Sequence, residues 1–195
     1  MKSYAGSIAD IDRDITLLQN FLSLYPRTHS EHFHCVSALA WARLMRSQLS
    51  QEKEDLDQSI VHHTMAILLP VSRARDVPRL LLNLTTVLRK RSEKYEQPEG
   101  IEYSIKYLRY LRRFPIDSSD VPRSFVTTSL IRALGTQVEW GAANETQIIK
   151  EMVVLGRELL TSNLSAREVF PIAAFVLGEC SRRRILARTF HRVAG

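Results

Sequence analysis

Residues 55–70, DLDQSIVHHTMAILLP, decide the reading of this chain, because their pattern returns on either side at a fixed interval. Ile60 lies 45 residues after Ile15 and 45 before Ile105; Asp10, Asp55 and Gly100 each precede those isoleucines by five; Pro26, Pro70 and Pro115 close the three segments. A period of this length marks a stacked array, in which each unit is a supersecondary element that buries its apolar face only against its neighbours. The apolar positions inside each unit say what that element is. Leu56, Ile60, His63 and Ile67 alternate by four and three, as do Ile8, Ile11, Ile15, Leu18 and Leu22 before them, and Ile101, Ile105 and Leu108, then Ile148, Met152, Leu155 and Leu159, after them. That spacing gathers side chains on one face of an α-helix.

The second half of each unit carries its own start signal. Thr28-x-x-Glu31 and Ser165-x-x-Glu168 match a capping box, and Asp76-Val77-Pro78 and Asp120-Val121-Pro122 set an acid ahead of a first-turn proline. In the first halves, Asp55 with Gln58 three residues on reads as another capping box. Apolar sets then follow: Phe33, Val36 and Ala40; Leu80, Leu84 and Leu88; Phe125, Leu130 and Leu134; Phe170, Ala174, Leu177 and Cys180. Pro171 lies six residues past its cap, where it would kink a helix begun at Ser165. The expected fold is an all-α solenoid of four antiparallel hairpins, over residues 8–50, 55–95, 99–140 and 144–183, in one domain of 195 residues ending in a basic helix over 184–195.

Residues 55–93 resemble the repeat of fungal tetratricopeptide-like proteins. There a segment of the form DLDEAIxLHREALxLxP precedes LNNLAxALxxRFE, as DLDQSIVHHTMAILLP here precedes LNLTTVLRKRSE at 82–93. The likeness is moderate over 8–54 and 98–137 and weak beyond Asn144, and Gly100-Ile101-Glu102 departs from the acid-apolar-acid start. It implies a right-handed superhelix of helix pairs that holds other proteins. Such arrays often precede a CHAT-type protease domain, whose activity is not carried over to these residues. The ending at Val193-Ala194-Gly195, four and a half repeats in, suits a part of a longer family member.

Composition narrows the partner. The net charge is +6, but Arg182, Arg183, Arg184, Arg188 and Arg192 with no acid put five of those charges in residues 181–195, so the body is nearly neutral. Cys35 and Cys180 are the two cysteines, far apart and on apolar stripes, which suits buried thiols in a reducing compartment rather than a disulfide framework or zinc site. With no signal-peptide stretch at Met1 and no long apolar run, a soluble cytoplasmic protein is expected.

Three groups of residues invite a chemical reading. Six histidines include His29, His32, His34 and the pair His62-His63, but helices align positions three or four apart, so His32 and His34 diverge and no metal site is expected. His63 stands where Leu18 and Leu108 stand in neighbouring repeats, a packing position in which one ring nitrogen needs a hydrogen bond. No nucleophile elbow or phosphate-binding glycine loop is present, so neither an enzyme nor a cofactor or small-molecule substrate is expected. Tyr103, Tyr107, Tyr110 and Phe114 form an aromatic stripe, with Lys106, Arg109 and Arg113 beside it. On the first helix of a hairpin that surface suits an acidic protein or peptide lying in the concave groove. The basic helix over 184–195 suits a cap or continuation whose Leu186, Phe190 and Val193 seal the last hairpin; the alternative is an anionic-surface binder, for nucleic acid or lipid, through Arg184, Arg188 and Arg192 on its other face.

Overall fold

The structure, a computed structural model, describes residues 7–69, 76–114 and 121–161. Among them are seven α-helices: α1 (Ile8–Leu24), α2 (Ser30–Ser50), α3 (Lys53–Leu68), α4 (Val77–Tyr95), α5 (Pro98–Arg113), α6 (Arg123–Glu139) and α7 (Glu145–Thr161). The described residues are all-helical, and the helices pack in chain order. Two compact units divide the chain, residues 1–122 and 123–195. In the first, α1 packs on α2, α2 on α3, α3 on α4 and α4 on α5; in the second, α6 packs on α7. No helix among the described residues is long and apolar enough to cross a membrane. Ser165, Glu168, Pro171, Cys180, Asp120 and the arginines of 184–195 lie outside the described residues.

The 45-residue period of the sequence is a period of contacts. First helices α1, α3 and α5 begin at 8, 53 and 98. On α3 the buried positions include Leu56, Ser59, His63 and Ala66, and on α5 the same register is buried as Ile101, Ser104, Leu108 and Leu111. On the second helices Phe33, Val36, Leu39, Ala40 and Ser47 are buried, and so are their counterparts Pro78, Leu81, Leu84, Thr85 and Ser92. Polar contacts repeat as well. The Ser59 hydroxyl donates to the Ala40 carbonyl of α2 at 2.7 Å, and the Ser104 hydroxyl donates to the Thr85 carbonyl of α4 at 3.0 Å. Inside each of the first two hairpins an acid on the first helix pairs with an arginine on the second, Asp12 with Arg46 at 2.8 Å and Asp57 with Arg91.

The turns keep the same beat. Gln51 ends α2 with φ 62°, Glu96 ends α4 with φ 54°, and Gly141 follows α6 with φ 74°. A left-handed residue at this point releases the chain from the helix so that the next first helix can turn back. Only glycine takes that conformation without a steric cost from Cβ; at the end of α4 the amides of Glu96 and Gln97 both donate to the Ser92 carbonyl, and the Gln51 carbonyl accepts from Lys94.

Several sequence expectations are corrected. Asp55 is not a cap: α3 starts at Lys53, its N-cap Glu52 makes no side-chain bond, and Gln58 bonds Glu54 instead. Asp55 sits two residues into α3, fully buried, and reaches back to α2, where it accepts from Arg43 at 3.0 Å, Arg46 at 3.1 Å and the Ser50 hydroxyl at 3.1 Å. Thr28 does not cap α2; the chain turns one residue later, and His29 Nδ1 accepts from the Glu31 amide at 3.2 Å. Asp76 does take the N-cap position of α4, with Pro78 in the first turn, but its side chain makes no cap bond and lies 3.7 Å from Arg79. Phe125, placed among the apolar positions of α6, is 64% exposed, while Val126, Leu130, Ile131 and Leu134 are buried. Leu88 and Ile8 also fall off the buried faces, Val87 being buried in place of the former.

The Asp55 site shows how one junction is closed in two ways. In α5 the same register holds Gly100, whose missing Cβ would lie 2.1 Å from the Ser92 hydroxyl and 3.0 Å from the Leu88 carbonyl oxygen. At one junction a carboxylate fills the gap between helices and draws arginines to it; at the next the helices close directly on a glycine. Two apolar clusters flank the first arrangement. Phe33, Val36, Ala66, Leu69 and Leu80 form one and Leu44, Leu56 and Val87 the other, both uniting residues from α2, α3 and α4. Removing one partner of a buried ion pair leaves the others uncompensated and costs roughly 3–5 kcal/mol. Asp55→Ala is therefore expected to lower unfolding stability by about 3 kcal/mol in urea titration, a loss at the lower end of that range because Arg43 and Arg46 keep some access to water.

Candidate functional site

The surface that the sequence singles out lies on α5. This helix starts with Pro98 in its first turn and buries Ile101, Ser104, Ile105, Leu108 and Leu111. A side chain every three or four residues on one face leaves the opposite face to the intervening positions. There Tyr103, Lys106, Arg109, Tyr110 and Arg113 are exposed, and Tyr107 is half-buried. The six residues are thus brought onto the outer side of one rigid helix.

Their rings are ordered. Tyr103 and Tyr107 stack with centroids 6.4 Å apart and planes 24° from parallel, and the Tyr110 ring meets Phe114 at 6.1 Å. Tyr103 and Tyr110 keep about half of their surface in contact with solvent, 53% and 51%. Large aromatic faces left open in this way, with each ring oriented by a neighbour, are what interface anchors are made of, since little rotamer freedom remains to be lost on binding. Charge is graded along the same helix. Glu99 and Glu102 lie in its first half, while Lys106, Arg109, Arg112 and Arg113 occupy its second half with no acid among them. The bases also suit the negative end of the helix dipole.

The histidines have separate tasks. His29 caps α2, buried His32 donates from Nδ1 to the Tyr25 carbonyl at 2.8 Å, exposed His34 lies edge-on to the Phe33 ring, and His62 donates from Nδ1 to the Gln58 carbonyl at 2.6 Å. Among the described residues no three His, Cys, Asp or Glu side chains gather as a metal site would need. Cys35 is half-buried rather than buried, and desolvation with Glu31 nearby pushes its thiol pKa up, away from reactivity.

His63 departs from its expected chemistry. It does fill the slot of Leu108 in the next repeat and is fully buried, but neither ring nitrogen has a hydrogen-bond partner. Burial, with a smaller contribution from His62, holds its pKa at about 4 against an ordinary 6.5. No spacing signal distinguishes such a histidine from a bonded one. A second feature the sequence does not announce is Tyr95, at the end of α4, flanked by Lys53 and Lys94 with ammonium groups 5.4 and 5.5 Å from the ring centre.

A scan against protein-family models, a search of curated proteins and a search of solved structures each return no match. The functional reading therefore stands on the geometry of α5 and on the repeat.

The buried histidine makes stability depend on pH. Below pH 6.5 the unfolded chain takes up a proton at His63 that the folded chain refuses until about pH 4, so stability falls across that window and is complete above it. The accumulated loss is about 3 kcal/mol at the lower end of the window. His63→Leu, which installs the residue of the equivalent slot in α5, is expected to be at least as stable at pH 7. Denaturant titrations from pH 7 to pH 4 check this, the gap between variant and parent widening as pH falls.

Proposed function

We propose that this chain is a non-enzymatic, tetratricopeptide-like scaffold that holds an acidic partner protein against its first helices, with α5 as the principal contact. In the superhelix that the repeat implies, first helices line the concave groove, and a partner segment crossing α5 meets Tyr103, Tyr107 and Tyr110 with its apolar side chains. Lys106, Arg109 and Arg113 then draw its carboxylates. The single observation that carries the reading is the exposed, ordered aromatic face of α5 with an acid-free run of bases beside it.

Supporting it is the contrast between this face and the rest of α5. The other side of the helix is spent on the junction with α4, through Ser104, Leu108 and Leu111, so the tyrosines are not needed to hold the hairpins together. Exposed aromatics without a structural task mark interaction surfaces more often than scattered apolar residues do. Rim charges add less affinity than direction, steering acidic partners and rejecting basic ones.

The test is affinity capture from nuclease-treated extract with the full chain and with a Tyr110→Ala, Lys106→Ala, Arg113→Ala variant as paired baits, read by quantitative mass spectrometry. Proteins bound by the parent are expected to fall at least about tenfold on the variant, the effect of losing one aromatic anchor, while thermal melting is unchanged because all three side chains are exposed. Equal recovery on both baits removes α5 as the contact.

A further inference from the structure

The junction that joins one hairpin to the next is left open on α1. Helices α3 and α5 bury Leu56, Ser59, His63 and Ala66, and Ile101, Ser104, Leu108 and Leu111, and the hydroxyls of Ser59 and Ser104 bond α2 and α4 of the preceding hairpins. One repeat earlier the same positions on α1 are Ile11, Asp14, Leu18 and Phe21. Ile11 and Leu18 are half-buried, Asp14 is exposed and Phe21 is 45% exposed. Leu17 and Leu24 beside them are 50% and 73% exposed. One turn earlier stands Asp10, the counterpart of Asp55, the carboxylate that α2 meets with Arg43 and Arg46. Asp10 bonds Ser7 in the capping box of α1 and keeps its outer side in solvent. The face is continuous in register with two buried interfaces.

Its chemistry departs from theirs at one position. A serine can donate to a main-chain carbonyl, whereas an ionised carboxylate only accepts. Asp14 in the place of Ser59 would set a negative charge against the carbonyl that α2 or α4 offers there, so a helix of that kind seats badly. What suits the face is an amphipathic helix that brings an apolar stripe for Ile11, Leu18 and Phe21 and cations for both Asp10 and Asp14. Arg13 is the one base of the α1 sequence; its charge acts on Asp10, three residues before it, and it lies about a third of a turn away from Asp14 on the helical wheel.

Residues 181–195 carry that combination. Leu186, Phe190 and Val193 recur at four and three, Arg184, Arg188 and Arg192 recur at four, and no acid occurs in the segment. We propose that copies of this chain associate head to tail, residues 181–195 of one seating on α1 of the next, with arginines opposite Asp10 and Asp14. A heterologous contact of this type is not closed by symmetry, so it extends into open chains. The arginine-rich segment is then an assembly element rather than a surface for nucleic acid or lipid.

The test uses two full-length variants, Asp14→Arg, which spoils the α1 face, and Arg184→Glu with Arg188→Glu, which spoils the segment. Sedimentation velocity is expected to show parent assemblies that grow over about a hundredfold rise in concentration and shrink in high salt, where exposed charges are screened. Each variant alone is expected at the mass of a single chain. Mixed, the two retain one intact segment and one intact α1 face between them, and are expected to combine although neither assembles alone. A third variant, Asp14→Ser, removes one charge pair without adding repulsion and is expected to weaken assembly up to about fivefold, the range for a single exposed ion pair. Circular dichroism of each variant matching the parent confirms that folding is intact. A parent that stays at single-chain mass, assemblies that Asp14→Arg leaves unchanged, or a mixture that does not combine would each overturn the proposal.

Discussion

A hydroxyl on one helix can reach the main chain of another only when the two backbones run unusually close. The Ser59 to Ala40 bond across α2 and α3 and the Ser104 to Thr85 bond across α4 and α5 fix that closeness at both junctions of the first unit. The rest of the architecture follows from it. Small residues must stand where the helices touch, Ala40, Ser59 and Ser104 among them, and the larger apolar side chains are pushed to the flanks, where they form the two clusters. The gap that remains near the start of each first helix must then be filled or closed. Asp55 with two arginines fills it once, and Gly100 closes it once. Dispersion and desolvation supply the energy of stacking, and the serine bonds set its register.

The sequence makes the array legible because register and periodicity are the same physical fact. Each hairpin buries its faces on its neighbours, so apolar positions recur at the repeat length and also at three and four within a helix. Ile148, Met152, Leu155 and Leu159, read as one stripe, are all buried on α7. What sequence patterns misjudge is chemistry that depends on tertiary distance. Asp55 looks like a cap by local spacing and is a buried carboxylate because Arg43 and Arg46 of another helix lie within reach. The left-handed turns are half hidden: Gly141 announces its conformation, while Gln51 and Glu96 adopt it with side chains that give no such signal.

The candidate site divides along the same line. That the α5 residues share a surface was legible, since helical geometry alone puts Tyr103, Tyr107 and Tyr110 together and Lys106 and Arg113 beside them. That Tyr103 and Tyr110 remain open to solvent was not, because an aromatic stripe equally suits a buried helix face. The decision came from Ser104, Leu108 and Leu111, which take the junction and leave the aromatics outside. His63 shows the limit in reverse. Its position was legible as a packing slot, but the lack of any partner for its ring is a property of the surroundings of one side chain.

The most direct measurement of the central claim is urea unfolding of Ser59→Ala, Ser104→Ala and the double variant, with Ser23→Ala as a control whose hydroxyl bonds only within its own helix. If the two junctions are the same structural device, each single variant loses about 1 kcal/mol, the ordinary worth of an intramolecular hydrogen bond. The double variant then loses their sum, as expected for well-separated sites, and the control changes little. Junction variants no less stable than the Ser23 control would contradict the account, as would a loss at one junction with none at the other.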